Sequence, residues 1–364
     1  MEQLQLVTAT IKDDARRILD EIENEVTAFA NTHLLVTGAA GFLGTYFLDV
    51  VAEFNRRNPA TPCTVTAVDR AEPGESRRLR HLAQDPNFTF FAHDVAAPLT
   101  QPTRFDWIIH AASIASPTKY RSEPLMTIDV NVNGTWRVLE RGQEDESRGV
   151  LIMSSSEVYG DPDPAFIPTP EEYFGHVSCT GPRACYDESK RLGETLAMNF
   201  FRQYDLPVKV VRPFNVYGPG QSLDDGRIMT DLLAAAVRRE TLVLFSDGRP
   251  TRSFCYVADA ISGVLRVLLA GKPGEVYNVG NDEEETSIGA LAETAVDAAL
   301  EVMGPPAMEV AFATSDEADY LVDNPSRRCP DLSKIRTSLG WQPGVSLHDG
   351  IVRSLESYRE ALKD

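Results

Sequence analysis

Residues 33–47 read HLLVTGAAGFLGTYF and contain the pattern that decides the fold. The apolar run at the start is typical of a buried strand, and Gly38, Gly41 and Gly44 follow it. A helical pattern begins near Phe42, so the segment predicts a strand, a tight turn and a helix. Glycine permits such a turn and lets a ligand approach the backbone, while the helix N-terminus offers free N–H groups to an anion.

Short apolar runs alternate with helical stretches through the first half of the chain. Strands are predicted at 33–38, 64–69, 88–95, 106–112, 150–156 and 208–214. Helices are predicted between most of them, for example at 42–56, 124–142 and 186–204. Continuous apolar strands that alternate with helices indicate a parallel sheet covered on both faces. We therefore predict an α/β fold, a doubly wound parallel sheet of the Rossmann type with a smaller C-terminal substrate-binding lobe.

The end of the second predicted strand indicates which ligand the glycine turn binds. Asp69 lies there, and a carboxylate at this place accepts hydrogen bonds from ribose hydroxyls and repels a 2′-phosphate, which favours NAD over NADP. Arg70 could instead hold a 2′-phosphate. The glycine spacing, G-x-x-G-x-x-G, departs from the standard fingerprint, and ordinary turns are the alternative for both features. Asp94 and Val95 follow the third strand, where they either face the adenine or form a surface turn.

The chain is predicted to divide into three regions. Residues 1–32 form an N-terminal helical extension. The NAD-binding Rossmann domain covers 33–212, and 258–280 return to it. The substrate-binding lobe consists of 213–257 and 281–364.

Composition excludes several classes of partner. The 364 residues carry a formal net charge of −19, which argues against nucleic acid and anionic membranes as partners. The five cysteines are scattered, so we predict no disulfide framework, no metal site and a cytoplasmic location. The N-terminus lacks the pattern of a signal peptide, and no apolar run approaches the roughly 20 residues of a membrane span.

A catalytic pair is predicted after the fifth strand. Tyr186 and Lys190 have the spacing Y-x-x-x-K within a helical stretch, which places the phenol and the ammonium on one face. A lysine cation lowers the pKa of a nearby tyrosine, so a phenolate base is plausible. The strand itself ends in the polar sequence SSSEVYG (154–160). Surface positions on a helix are the alternative for this pair.

These motifs together resemble a known family. TGAAGFLG (37–44), HAAS (110–113), SSSEVYG, YDESK (186–190) and RPFNVYGPG (212–220) resemble the extended short-chain dehydrogenase/reductases. That family includes nucleotide-sugar epimerases, dehydratases and decarboxylases, and the resemblance covers roughly residues 33–360. The segments most similar to UDP-glucuronate decarboxylases are EEYFGHVSCTGPRACYDESKR (171–191), DDGRI (224–228), TRSFCYVADA (251–260) and RRCPDLSKI (327–335).

The resemblance implies a role for each matching residue. Tyr186 takes the proton of the sugar C4 hydroxyl, Lys190 holds the nicotinamide ribose, and Ser155 hydrogen-bonds the C4 oxygen. Glu157 orients the sugar or relays protons, and Arg328 lies near the carboxylate and helps to protonate C5. The implied cofactor-binding residues are Gly38, Gly41, Phe42, Leu43, Gly44, Asp69, Asp94, Val95, Ala111, Tyr186 and Lys190. The implied substrate-binding residues are Ser156, Arg183, Asn215, Arg227, Arg252 and Arg328.

The resemblance also leaves alternatives open. The leading hypothesis is NAD-dependent decarboxylation of UDP-glucuronate to UDP-xylose; a 4-epimerase, a 4,6-dehydratase and a non-catalytic NAD-binding protein are the competitors. Dehydratases of the family carry an aspartic acid where this chain has Ser156, which favours a uronic acid substrate. HAASIASPTKY (110–120) departs from the decarboxylase pattern. The family further implies a homodimer, paired through the helices near 124–142 and 186–204.

Overall fold

The computed structural model describes residues 7–71, 76–101, 103–244, 247–306, 308–313 and 325–363. The helices are α1 (Ala9–Glu21), α2 (Phe42–Arg57), α3 (Pro117–Ser122), α4 (Pro124–Glu144), α5 (Ala184–Tyr204), α6 (Ile228–Arg238), α7 (Val257–Ala270), α8 (Ile288–Met303), α9 (Ser333–Leu339) and α10 (Leu347–Ala361). The strands are β1 (His33–Thr37), β2 (Thr64–Asp69), β3 (Phe88–Ala92), β4 (Trp107–His110), β5 (Gly149–Met153), β6 (Val208–Pro213), β7 (Val216–Tyr217), β8 (Leu242–Leu244), β9 (Thr251–Ser253), β10 (Cys255–Tyr256), β11 (Glu275–Val279), β12 (Glu285–Ser287), β13 (Val310–Phe312) and β14 (Arg327–Arg328).

Seven strands form the central sheet in the order β11-β6-β5-β4-β1-β2-β3. Every neighbouring pair is parallel, so the predicted doubly wound sheet is confirmed. The strand order reverses between β1 and β4, and ligands of such sheets bind outside the carboxyl ends of the strands at this point.

Side chains of β1 alternate between the two faces of the sheet. Leu34 and Val36 belong to the larger hydrophobic core, which contains side chains of α2 and α7. Leu35 belongs to a second core with side chains of α4 and α5 on the opposite face. This alternation with a period of two explains why the strand is apolar throughout: both of its faces are covered.

The third strand is shorter than the sequence suggested. We predicted a strand over 88–95, but β3 ends at Ala92. The reason is a local turn, in which the Asp94 carboxylate accepts a hydrogen bond from the Ala96 N–H at 3.0 Å. Aspartate commonly competes with sheet pairing in this way.

The N-terminal helix α1 joins elements of both halves of the chain. Its Thr8 N-cap accepts a hydrogen bond from the Ile11 N–H, and its apolar face is buried. Asp14 is fully buried and accepts hydrogen bonds from Tyr256 at 2.8 Å and from Arg353 of α10 at 2.7 Å. The helix also packs against α2 and α7.

The elements after β6 form small sheets and a helical layer. Strands β12, β9 and β14 make a three-stranded sheet, while β7 pairs with β10 and β8 pairs with β13. Helices α6, α8 and α10 pack against one another. None of the described helices combines the length and the hydropathy that crossing a bilayer requires.

Candidate active site

A cavity of about 500 Å³ opens at the carboxyl ends of the central strands. Its walls combine the glycine turn after β1, the ends of β4 and β5, the start of α5 and the loops that follow β6. Fourteen of the residues predicted from sequence line it: Gly38, Gly41, Phe42, Leu43, Gly44, Ala111, Ser155, Ser156, Glu157, Arg183, Tyr186, Lys190, Asn215 and Arg227. The fold therefore brings the predicted cofactor and catalytic residues to one place.

Two glycines of the turn after β1 lie too close to other backbone atoms to carry a side chain. Gly38 has a φ of +71°, and a Cβ there would lie 2.6 Å from the Ala112 backbone nitrogen. A Cβ on Gly44 would collide with the Gly38 carbonyl. Gly41 is the N-cap of α2 and has no side chain to satisfy the first N–H groups of that helix. These groups and the helix dipole suit the diphosphate of a nucleotide cofactor.

Asp69 is tied to this turn by its own carboxylate. Its Oδ2 accepts a hydrogen bond from the Ala40 N–H at 2.9 Å, and its Oδ1 accepts one from the Ala71 N–H at 3.3 Å. Arg70, the residue that could have held a 2′-phosphate, is exposed and contacts the Met126 sulfur of α4. Asp69 does not itself line the cavity, but it supports the turn that does.

The structure does not bring Asp94 or Val95 to the cavity wall. Asp94 is exposed in the surface turn described above. Val95 is buried against α4, where a Cβ on Gly134 would lie only 2.8 Å from its Cγ1. The alternative interpretation, a surface turn, describes Asp94 but not the buried Val95.

Helix α5 positions the predicted catalytic pair one turn apart. Burial raises the pKa of Tyr186 to about 12, while a hydrogen bond with Ser155 and the charge of Arg227 act in the opposite direction. The Lys190 ammonium lies 5.7 Å from the Tyr186 ring centroid and donates to the Met153 carbonyl at 2.8 Å. Burial lowers the pKa of Lys190 to about 8.

Tyr120 is a part of this site that sequence analysis missed. Its ring stacks on that of Tyr186, with centroids 5.2 Å apart and planes inclined by 17°. It lies on α3, lines the cavity, and its buried hydroxyl has no hydrogen-bond partner among the described residues. The only signal in the sequence was its place in the polar segment after the fourth strand.

Glu157 is held by two arginines at the end of β5. A short 3-10 helix, Ser156–Tyr159, begins there, and its N-cap Ser155 accepts a hydrogen bond from the Glu157 N–H. Arg328 donates to both Glu157 carboxylate oxygens, at 2.9 Å for one of them, and Arg183 donates to one. Burial disfavours the charged carboxylate, but Arg328 and Arg183 outweigh it and hold the pKa of Glu157 well below its usual range.

Arg252 and Arg328, both predicted to bind substrate, do not line the cavity. Arg252 is buried on β9 and donates to the carbonyls of Thr251 and Pro325, at 2.7 and 2.5 Å. Burial, reinforced by the charge of Arg328, lowers the pKa of Arg252 to about 10. Arg328, Arg183 and Arg252 thus lie around Glu157, and Asp187 adds a second carboxylate 3.8 Å from Arg183.

Two further predicted substrate residues are positioned by the loops after β6. Asn215 has a φ of +39°, a conformation that asparagine tolerates, and its amide donates to the Ser253 carbonyl at 2.8 Å. Arg227 precedes α6, donates to the Ala115 carbonyl at 2.7 Å and pairs with Asp225 at 3.2 Å. Both residues line the cavity.

The sequence is similar to known proteins over most of its length. Residues 34–280 match the model of the NAD dependent epimerase/dehydratase family. The chain belongs to this family. It is 37% identical to UDP-glucuronic acid decarboxylase 3 of Arabidopsis thaliana over 90% of both chains. The predicted family and the predicted cofactor, NAD, are thereby confirmed.

Solved structures of the family resemble this one closely. A dTDP-glucose 4,6-dehydratase from Streptomyces venezuelae, solved with NAD bound, has a TM-score of 0.76 and 26% identity, covering 90% of this chain and 97% of that one. A UDP-glucuronic acid 4-epimerase from Bacillus cereus, in complex with UDP-glucuronic acid and NAD, has a TM-score of 0.70 and 25% identity, covering 90% and 99%.

Proposed function

We propose that this protein is an NAD-dependent decarboxylase that converts UDP-glucuronate to UDP-xylose and CO₂. The observation that carries the proposal is the cluster of three arginines around Glu157, of which Arg183 lines the cavity, in a chain similar to curated UDP-glucuronic acid decarboxylases. A uronic acid adds a carboxylate to the diphosphate of a nucleotide sugar. Arginine is suited to both groups because its planar fork matches carboxylate and phosphate oxygens.

The first step is oxidation of the sugar at C4. Tyr186 removes the proton of the C4 hydroxyl, and Ser155 holds the C4 oxygen. The glycine turn and Lys190 would hold NAD, which would supply reversible hydride transfer at C4. Because burial raises the pKa of Tyr186 to about 12, its deprotonation depends on the opposing effects of Ser155 and Arg227. Lys190 adds a second positive charge close to the Tyr186 ring.

The second step is loss of CO₂ from the 4-keto sugar. The carboxylate carbon lies β to the new carbonyl, so the electron pair of the breaking C5–C6 bond moves into an enolate at C4 and C5. Ser155, which held the C4 oxygen, hydrogen-bonds this enolate oxygen. C5 then takes up a proton from solvent water, reverse hydride transfer would restore the C4–H bond, and Tyr186 returns its proton to the C4 oxygen.

We assign the substrate carboxylate to Ser156 and Arg183, because both line the cavity beside Glu157. Glu157 itself is a positioning residue in this scheme. A carboxylate whose pKa lies well below its usual range is a weak base, so it orients the arginines rather than removing a proton. Arg328 does not line the cavity but donates hydrogen bonds to Glu157, so we assign it as a positioning residue too.

Dehydration is the least compatible of the alternative reactions. It requires an acid to protonate the departing C6 hydroxyl and a base to remove the C5 proton. Ser156 is a poor proton donor at neutral pH, and Glu157 is a poor base for the reason given above. A 4-epimerase acting on the same uronic acid would need the same Tyr186 chemistry. An experiment must therefore distinguish epimerisation from decarboxylation.

The test is incubation with NAD and UDP-glucuronate in D₂O, followed by mass spectrometry and NMR of the product. We expect UDP-xylose, release of CO₂, and deuterium at C5. Formation of UDP-galacturonate with the carboxylate retained would identify an epimerase and overturn the proposal. UDP-glucose and dTDP-glucose serve as controls and should remain unchanged.

We also propose that the enzyme is a homodimer, paired through α4 and α5. Apolar side chains are exposed on these helices, among them Leu125, Trp136 and Leu192. Light scattering should give a dimer for the native protein and a monomer for Trp136→Glu combined with Leu192→Glu. Leu300→Glu, at an exposed apolar position on α8, is the control and should leave the dimer intact.

We propose that the regions predicted from sequence have the following functions. We assign cofactor binding to 33–212 with 258–280, and substrate binding to 213–257 and 281–364. We place the enzyme in a reducing compartment, the cytosol, because all five of its cysteines are unpaired.

A further inference from the structure

Arg78 lines the cavity, although neither the sequence motifs nor the proposed reaction uses it. It lies in a short 3-10 helix, Arg77–Leu82, between β2 and β3, and is 3% exposed. One of its terminal nitrogens donates to Asp49 at 2.6 Å. Asp49 is on α2 and does not line the cavity, so the pair has its positive member at the cavity wall and its negative member behind.

The Arg78 guanidinium is only partly satisfied by the protein. Its Nε and Nη1 are buried and have no hydrogen-bond partner among the described residues. The Tyr46 ring of α2 lies 5.4 Å away, and a Cβ on Gly220 would be 3.0 Å from Nε. Buried donors without acceptors are costly, and a protein rarely retains them without a ligand or a functional reason.

The position of Arg78 indicates which ligand uses its charge. Its neighbours Tyr46 and Asp49 belong to α2, whose N-terminus forms the glycine turn at the cofactor end of the cavity. A dinucleotide brings two phosphate charges to this end, whereas Arg227 and the cluster around Glu157 lie with the predicted substrate residues. We propose that Arg78 supplies positive charge to the diphosphate of the NAD cofactor, and that Asp49 is the positioning residue for it.

The experiment compares ligands that differ only in their phosphates. Calorimetry with ADP and adenosine should show that Arg78→Gln weakens ADP binding about tenfold and leaves adenosine binding unchanged. An equal loss of affinity for both ligands would mean that Arg78 only stabilises the fold, and it would overturn the proposal. Titration with UDP and uridine forms the second arm: a selective loss for UDP, with ADP unaffected, would assign the charge to the substrate diphosphate instead.

Two further variants address folding. Asp49→Asn keeps the Arg78 charge and offers an amide oxygen in place of the carboxylate that positions it, so ADP binding should weaken less than in Arg78→Gln; a loss of ADP affinity as large as that of Arg78→Gln would contradict the assignment. If Arg78→Gln alone does not fold, the double variant Asp49→Asn/Arg78→Gln removes both charges of the pair and avoids an unpaired buried carboxylate. It should show the same selective loss for ADP. These binding measurements do not depend on which sugar the enzyme converts.

Discussion

Replacing Glu157 with glutamine tests the arginine cluster, because the change removes one negative charge and almost no volume. Both Glu157 oxygens accept hydrogen bonds from Arg328, and one also accepts from Arg183. The two arginine side chains are only 4% and 12% exposed, so the variant leaves buried guanidinium groups facing each other. Removing one partner of a buried ion pair costs about 3–5 kcal/mol. We expect the free energy of unfolding to fall by this amount.

The assay is urea unfolding at neutral pH together with a thermal scan. For a chain of 364 residues, a loss of this size lowers the melting temperature by about 5 °C. Glu146→Gln is the matched control, because Glu146 pairs with Arg104 while their side chains are 83% and 63% exposed. Such a surface pair contributes less than about 1 kcal/mol.

The pH dependence provides a second check on Glu157. Its pKa in the folded protein is lower than its unfolded value of about 4.3, so its stabilising effect is complete above that pH. Below it the unfolded chain binds the proton first, and the difference between native protein and variant should shrink by about 1.4 kcal/mol per pH unit. A variant as stable as the Glu146→Gln control, or a difference unchanged from neutral pH down to about pH 3, would refute the reasoning.

Three further predictions concern the cavity. Ser156→Asp should abolish decarboxylation while NAD still binds by calorimetry, because the new carboxylate repels that of the substrate; turnover close to native would contradict this. Asp69→Ala should weaken NAD binding by roughly 1–3 kcal/mol, the range for a lost charged hydrogen-bond partner, whereas Asp94→Ala, in a surface turn, should change it little. Because burial lowers the pKa of Lys190 to about 8, its positive charge is lost above that pH. The affinity for anionic NAD should therefore decline above about pH 8 in the native enzyme and stay flat in Lys190→Met; a decline that persists in the variant would assign it to another group.

Local periodicity determined much of the fold from the sequence. The strands are apolar along their whole length because the sheet is covered on both faces, and this pattern predicted a parallel sheet. The glycine turn was readable because only glycine fits where Gly38 and Gly44 approach other backbone atoms. Tyr186 and Lys190 could be predicted as a pair because four residues make about one helical turn, which places both side chains on one face.

The charge balance of the site was decided by tertiary structure alone. Arg328 meets Glu157 across 171 positions of sequence, and their contact depends on β14 pairing with β9 far from β5. Tyr120 stacks on Tyr186, and Arg78 meets Asp49, only because separate helices converge at the strand ends. Helical or strand periodicity fixes neighbours within a few residues, whereas contacts between distant segments are set by strand order and the packing of whole elements, which no local pattern encodes.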